Sequence, residues 1–105
     1  MATKLALLQG QEQVIADIKE LVDNGKPVGY LFKDPHRISA EKDFLAETPQ
    51  DRKVHVTLAP WILLSADNEI LVTKNQVVTI VEPIDSVKKM YSEKLNGSDG
   101  ISTDE

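Results

Sequence analysis

The segment from Ile70 to Ile80 constrains the fold of this chain more than any other part of the sequence. Two runs of apolar, largely β-branched residues flank a polar stretch that includes Lys74, Asn75 and Gln76. This pattern predicts two strands joined by a tight turn. A turn at the end of a rigid sheet can present polar side chains to a ligand. The sequence therefore predicts a small β domain with a candidate binding turn.

Composition is that of a single globular domain. The chain has 105 residues, of which 41% are hydrophobic and 28% are charged, and both fractions are ordinary for a globular protein. The absence of cysteine excludes disulfides and thiolate metal sites, and it fits a reducing cytoplasm. The N-terminal residues lack the pattern of a signal peptide, in which basic residues precede an apolar run. The apolar runs are too short to span a membrane. We therefore expect a cytoplasmic protein without a signal peptide or membrane contact.

Net charge argues against a simple nucleic-acid-binding surface, because phosphate binding favours a basic protein. The formal charge is −5. Three of the acidic residues, Asp99, Asp104 and Glu105, lie among the last eight, which leaves 14 acidic against 12 basic residues before them. The body of the chain is therefore close to neutral, and it has room for a locally basic face. We predict one domain over residues 1–97 and a disordered acidic tail over residues 98–105.

Local patterns predict most of the elements. Residues 4–8 form an apolar run that stops at Gln9-Gly10-Gln11, which is typical of a strand and a turn. Residues 13–22 are ambiguous, because their apolar residues fall at helical spacing while part of the segment alternates as in a strand. The local pattern favours the helix. Asn24-Gly25 predicts a sharp turn.

Local patterns also predict the remaining strands, a loop and a helix. Residues 28–32 predict a strand that ends at Asp34-Pro35, residues 39–53 a long loop, and residues 53–64 a strand with a bend at Pro60. After Glu82-Pro83, apolar residues at helical spacing predict a helix that begins at Asp85 or Ser86 and ends near Gly97.

Two blocks of the chain resemble the two sequence motifs of Sm and Sm-like proteins. The first block runs from Leu8 through residues 14–18 to residues 28–34, and the second covers residues 72–80. Residues 58–61 (Leu-Ala-Pro-Trp) and 77–83 are similar to Sm-like proteins from cyanophage and marine metagenomic sequences. The resemblance covers most of residues 4–95. It implies that residues 13–22 form a strongly bent strand instead of a helix.

The fold that this resemblance implies is mainly β: a small, strongly bent, five-stranded antiparallel sheet, closing as a partly open barrel, with a C-terminal helix. Residues 54–64 and 70–81 are apolar and carry little charge, so they are candidate edges for pairing between subunits. Head-to-tail strand addition would close a homo-oligomeric ring. The resemblance implies a non-catalytic ring that binds single-stranded RNA, in the cytoplasm of the host cell if the protein comes from a phage.

Two departures from the Sm-like pattern concern the RNA-binding positions. Val28 and Gly29 stand where the first motif has Met and Asn, so the base contact of that Asn is missing. Lys74-Asn75 stands nearest to the Arg-Gly of the second motif. Lysine keeps the charge but lacks the planar guanidinium that pairs bidentately or stacks on a base. The alternative hypothesis is therefore a structural or protein-interaction ring that binds no nucleic acid.

Five residues are candidates for contacting nucleic acid. Lys74 with a phosphate and Asn75 with a base edge would form one site, and Asn24 and Lys26 of the neighbouring turn a second. For both pairs, turn geometry alone is the favoured explanation. Tyr30 is a candidate for stacking on a base, although a strand aromatic more often belongs to the core.

Catalytic and metal chemistry have little support in the sequence. The chain has two histidines, His36 and His55, and no cysteine, and the histidines lack the short spacing of metal ligands. Neither Ser39 nor Ser65 lies in a nucleophile motif, and no glycine-rich phosphate loop is present. We therefore expect no enzyme activity, no metal and no cofactor.

Overall fold

The computed structural model describes residues 2–42 and 54–100. They form six strands and one helix, numbered in chain order. The strands are β1 (Ala2–Leu8), β2 (Gln13–Asp23), β3 (Lys26–Lys42), β4 (Val54–Pro60), β5 (Glu69–Thr73) and β6 (Val77–Val81), and the helix is α1 (Asp85–Gly100). One turn of 3-10 helix, Lys74–Gln76, joins β5 to β6.

The sheet is antiparallel and strongly bent, and it does not close. Its strand order is β4-β3-β2-β1-β6, with β5 also paired to β3. Along the edge opposite β2, β3 is long enough to pair with two strands, since its first half pairs with β5 and its second half with β4. The prediction of a mainly β fold with a bent antiparallel sheet and a C-terminal helix is confirmed. The described sheet has six strands, whereas the sequence predicted five.

The strands on either side of Lys74–Gln76 lie at opposite edges of the sheet. Thr73 at the end of β5 is opposite Gly29 of β3, whereas Val77 at the start of β6 is paired with Leu8 of β1. The prediction of two strands and a short turn is correct, but β5 and β6 each pair with a different neighbour. The sheet therefore curls until its two edges are one 3-10 turn apart, which leaves an open seam between them.

β2 is a strand, so the helix predicted from local spacing is wrong and the strand implied by the resemblance is correct. The misleading pattern has a physical cause in the first half of the strand, because both faces are buried there, whereas residues 19–23 are mostly exposed. Val14 and Ala16 belong to a core cluster inside the bent sheet, while Ile15 points the other way into a cluster beneath α1. Backbone pairing with β1 and β3 on both sides outweighs a weak local preference for helix.

β3 continues through Asp34-Pro35, where the sequence predicted its end. Asp34 has a left-handed backbone with φ of 51°, and the pairing with β2 shifts register in this region. The strand therefore bends at Asp34 and resumes. Its last residues, 39–42, belong to the segment predicted as a loop, and residues 43–53 of that segment lie outside the described residues.

Helix α1 covers the outer face of the bent sheet. Val87 and Tyr91 are buried against Ile15 and Leu58. The Tyr91 hydroxyl donates hydrogen bonds to the main-chain oxygens of Lys33 (3.1 Å) and Asp34 (3.0 Å), which fastens the helix to the bend. The helix continues past its predicted end near Gly97 to Gly100. Residues 98–100 are thus helical, and residues 101–105 of the predicted tail lie outside the described residues.

Candidate nucleic-acid interface

Two of the predicted turns lie at the same end of the sheet. The β2–β3 hairpin closes at Asn24-Gly25, and the 3-10 turn follows Thr73, which is opposite Gly29. Because β3 and β5 are antiparallel, the residues before Gly29 and those after Thr73 extend from the same edge. We call this region, residues 23–26 and 74–76, the turn end. Four of the five predicted site residues, Lys74, Asn75, Asn24 and Lys26, lie at this end.

The hairpin turn is explained by its own residues. Asp23 pairs with Lys26, and the two residues between them have positive φ, 53° at Asn24 and 77° at Gly25. A two-residue turn with this geometry favours Asn-Gly. The side chains of Asn24 and Lys26 are exposed, so the turn geometry leaves both free to meet solvent or a ligand.

The 3-10 turn is held by the β1–β2 connection. The Gln9 backbone N–H donates to the main-chain oxygen of Gln76 at 2.8 Å, and the Gln9 side-chain amide donates to that of Asn75 at 3.4 Å. Lys74 and Asn75 are exposed. The backbone of this turn is thus fixed while its cation and amide stay accessible. The sequence predicted the turn but missed the contribution of Gln9, for which the adjacent Gly10 was the only signal.

Gly29 is tightly packed against β5. A Cβ atom placed on it would lie 2.8 Å from the main-chain oxygen of Val72, a distance that neither atom can accommodate without a backbone shift. An asparagine side chain therefore does not fit at this position in the present backbone. The glycine that departs from the Sm-like pattern at position 29 therefore allows β5 to lie close to β3.

Tyr30 belongs more to the core than to the turn end. It is half-buried, it is opposite Val72 in the β3–β5 pairing, and it packs against the cluster that includes Phe32. The sequence allowed two interpretations of Tyr30, core packing and base stacking. This placement favours core packing.

Charges of both signs lie at the turn end. Lys26 and Lys74 are exposed cations, Asp23 is an exposed carboxylate, and Glu12 is half-buried nearby. A cavity of about 240 Å³ opens between the β1–β2 connection and β5, and its lining includes Glu12, Trp61 and Gln76. The turn end therefore offers two cations and several amides, without a continuous basic surface.

A second polar region surrounds the bend of β3. Its cavity, of about 200 Å³, is lined by residues that include Asp34, His36, Ser65 and Asp67. His36 Nδ1 lies 2.9 Å from the Asp34 main-chain oxygen, and its ring meets the Tyr91 ring edge-on at 5.7 Å. These contacts give His36 a structural role at the bend. The described residues contain no group of three His, Asp or Glu side chains placed to hold a metal.

Comparison with known proteins gives a family but no activity. The chain matches none of the curated proteins. None of the helical segments that the structure describes is both long and apolar enough to cross a membrane. A family model, described as a family of unknown function, matches residues 1–96. Because that match spans nearly the whole sequence, the chain belongs to the DUF6561 family.

Proposed function

We propose that this protein is a non-catalytic, Sm-like protein that assembles into a homo-oligomeric ring and binds single-stranded RNA at the turn end. The observation that carries the proposal is the convergence of the two predicted turns, with Lys26 and Lys74 exposed, at one end of the sheet. The bent, open sheet and the short turn between β5 and β6 are also what the resemblance to Sm-like proteins implies.

Ring assembly is supported by the two edges of the open seam. β5 and β6 each have one strand neighbour among the described residues, β3 and β1 respectively. Exposed apolar side chains lie on both strands: Leu71 is 64% exposed, Val78 55% and Val81 47%. Unpaired edges with apolar side chains favour strand addition. Pairing β5 of one copy with β6 of the next is heterologous, and repetition of such a contact can close a ring.

The proposed RNA contact is electrostatic and weakly specific. Lys26 and Lys74 would attract phosphates, while the amides of Asn24 and Asn75 would donate to or accept from base edges. One subunit with two cations and nearby carboxylates binds weakly. A ring would repeat the turn end around its circumference, so that a single strand meets several copies at a high effective concentration.

The second candidate function is a structural or protein-interaction ring without RNA. Two observations favour it: the net charge of −5, and the packing of Gly29 against the Val72 oxygen, which leaves no room for a base-contacting asparagine. In this function the turn end would meet a protein, and Lys74 would not govern nucleic-acid affinity.

Fluorescence anisotropy with labelled U-rich and A-rich single-stranded RNA, across a salt series, tests the proposal. We expect binding that weakens steeply as salt rises, because phosphate contacts release counterions. Lys74→Glu should abolish most of the binding. Lys89→Glu, at an exposed position on α1, changes net charge equally and should reduce it far less. Flat anisotropy at high protein concentration, or equal losses in the two variants, would contradict RNA binding at the turn end.

The mass of the assembly separates the two candidate functions. If the ring forms through β5 and β6, Lys74→Glu should leave the solution mass unchanged, since Lys74 lies outside both strands. A wild-type assembly of ring size that binds no RNA would favour the protein-interaction ring. A wild-type protein that stays monomeric would contradict both candidates.

A further inference from the structure

The connection between β4 and β5 contains a turn of unusual composition. The Ser65 backbone N–H donates to the main-chain oxygen of Ile62 at 3.1 Å, which closes a four-residue turn with Leu63 and Leu64 at its centre. Leu63 is 73% exposed and Leu64 94% exposed. We call residues 62–65 the leucine turn. The central positions of a turn favour Gly, Asn, Asp or Pro for conformational reasons. Leucine has none of these conformational advantages, so turn geometry does not explain the two leucines.

Hydrogen bonds anchor the connection that contains the leucine turn. Before it, the Trp61 N–H donates to the Pro35 oxygen at 3.0 Å, and after it, the Asp34 N–H donates to the Asn68 oxygen at 2.6 Å. Within the connection, the Asp67 N–H donates to Ser65 Oγ at 3.0 Å. The turn is thus fastened to the bend of β3 on both sides. Its leucine side chains project into solvent, and this exposure of apolar surface is unfavourable in free energy.

The same chain also has a cleft whose lining is mostly apolar, like the exposed leucines. A cavity of about 260 Å³ lies between the start of α1 and the outer face of the sheet. We call it the helix cleft. Its apolar lining consists of Leu5, Ile38, Ala40, Val56, Ile84 and Val87. Ile84 at its rim is 69% exposed. A cleft of this volume is large enough to hold a leucine side chain.

The two features lie at complementary edges of the proposed ring contact. The leucine turn precedes Glu69, the first residue of β5, and Ile84 follows Val81, the last residue of β6. Both strands have their other ends at the 3-10 turn. If β5 of one copy pairs antiparallel with β6 of the next, the Glu69 end of one strand meets the Val81 end of the other. The leucine turn of one copy then lies alongside the segment that leads into the helix cleft of its neighbour.

We propose that the leucine turn of one subunit inserts Leu63 and Leu64 into the helix cleft of the adjacent copy of this chain. This inference rests on the proposed ring and adds the contact that stabilises it. Two five-residue edge strands bury little surface, whereas specific interfaces bury about 800 Å² on each partner. Filling an apolar cleft with a neighbour's leucines supplies the hydrophobic centre that such an interface needs.

The test compares the association of full-length variants by sedimentation velocity over a protein concentration series. Leu64→Glu should weaken self-association by at least roughly tenfold, because it places a charge in an apolar cleft. The residue is 94% exposed within one chain, so the monomer should unfold at the same denaturant concentration as the wild type. Val22→Glu is the matched control, since Val22 is 55% exposed on β2 and lies outside both the turn and the cleft.

A rescue experiment identifies the partner surface. Ile84→Lys alone should weaken association as Leu64→Glu does, and the double variant should recover at least part of the loss through a new ion pair between copies. Recovery in the double variant supports the contact. Assembly that survives both single variants would overturn this inference while leaving the ring intact. A wild type that is monomeric at every concentration would overturn the ring itself, so the two failures are distinguishable.

Discussion

The two ends of β5 differ in almost every physical property. At the turn end, Asn24 and Gly25 have the positive φ that their hairpin requires, and the exposed groups nearby are cations and amides. At the other end, the leucine turn exposes two large apolar side chains that its conformation does not require. Residues that explain their own turn give only weak evidence of a ligand. Exposed apolar residues that the turn does not require are the reason for proposing a contact between copies at one end and a charged ligand at the other.

Phe32 supports both ends, so its removal should have the largest effect. It is fully buried, it is opposite Ile70 in the β3–β5 pairing, and its ring centroid lies 6.0 Å from that of Trp61, next to the leucine turn. Phe32→Ala should lower the free energy of unfolding by about 3–5 kcal/mol, measured by urea denaturation. The exposed control Val22→Ala should cost much less. A small loss for Phe32→Ala would mean that the two ends do not share this core.

Gly29 and Gly25 give a matched pair at the turn end. Gly29→Asn should destabilise the chain by about 1–3 kcal/mol, because the added Cβ meets the Val72 oxygen. Gly25→Asn should cost less than about 1 kcal/mol, because open space surrounds Gly25 and asparagine tolerates positive φ. Thermal or urea unfolding of both variants checks the order. Equal losses would show that β5 can move away from β3 without cost.

Tyr91 supports the bend beside the leucine turn. Tyr91→Phe removes the hydroxyl that donates to two part-buried main-chain oxygens and should cost about 1–2 kcal/mol, measured by urea denaturation at neutral pH. RNA binding at the turn end should change little. Lost RNA affinity with unchanged stability would contradict this separation of the two ends.

The same tyrosine predicts a pH dependence. Burial, together with the Asp17 and Asp34 carboxylates, raises the pKa of the Tyr91 hydroxyl above its ordinary value. A raised pKa stabilises the fold fully below the ordinary tyrosine pKa of about 10, and this stability is lost as pH rises above it. The difference in stability between wild type and Tyr91→Phe should therefore shrink at alkaline pH. A difference that stays constant would contradict the coupling.

The smallest expected effect concerns Glu82, at the rim of the helix cleft. A hydrogen bond and ion pair with Lys4, and a weaker contact with Lys88 at 3.7 Å, lower the pKa of the Glu82 carboxyl. A lowered pKa contributes stability above the ordinary carboxyl range, and this stability is lost as pH falls through the lowered value. Glu82→Gln should therefore show a slightly flatter acid limb in pH-dependent thermal unfolding. Because Glu82 is exposed, salt should reduce the difference.

How far the sequence predicts this molecule depends on whether local residues determine the structure. Asn24-Gly25 predicted its turn correctly, because a positive φ favours those residue types. The Asp34-Pro35 bend could not be predicted, because β4 and β5 pair with β3 on either side of it and continue the strand. Likewise, the first half of β2 has apolar residues on both faces because both faces are buried in the folded sheet, and the local sequence does not show this.

The candidate site follows the same rule. Lys74, Asn75, Asn24 and Lys26 were predicted from turn composition, and their convergence depends on the antiparallel register of β3 and β5. The leucine turn was predicted as part of a strand with a bend, because Ile62, Leu63 and Leu64 are apolar residues typical of buried positions. Apolar residues carry no local signal that distinguishes a buried position from an exposed one.

Sedimentation velocity of the wild-type protein, alone and with a labelled single-stranded RNA, shows whether the chain forms a ring that binds RNA. We expect one protein species several times heavier than a single chain. At low salt the labelled RNA should sediment with that species, and at high salt it should be released from it. A protein that sediments as a monomer, with the RNA sedimenting separately at every salt concentration, would contradict both the ring and its RNA-binding end.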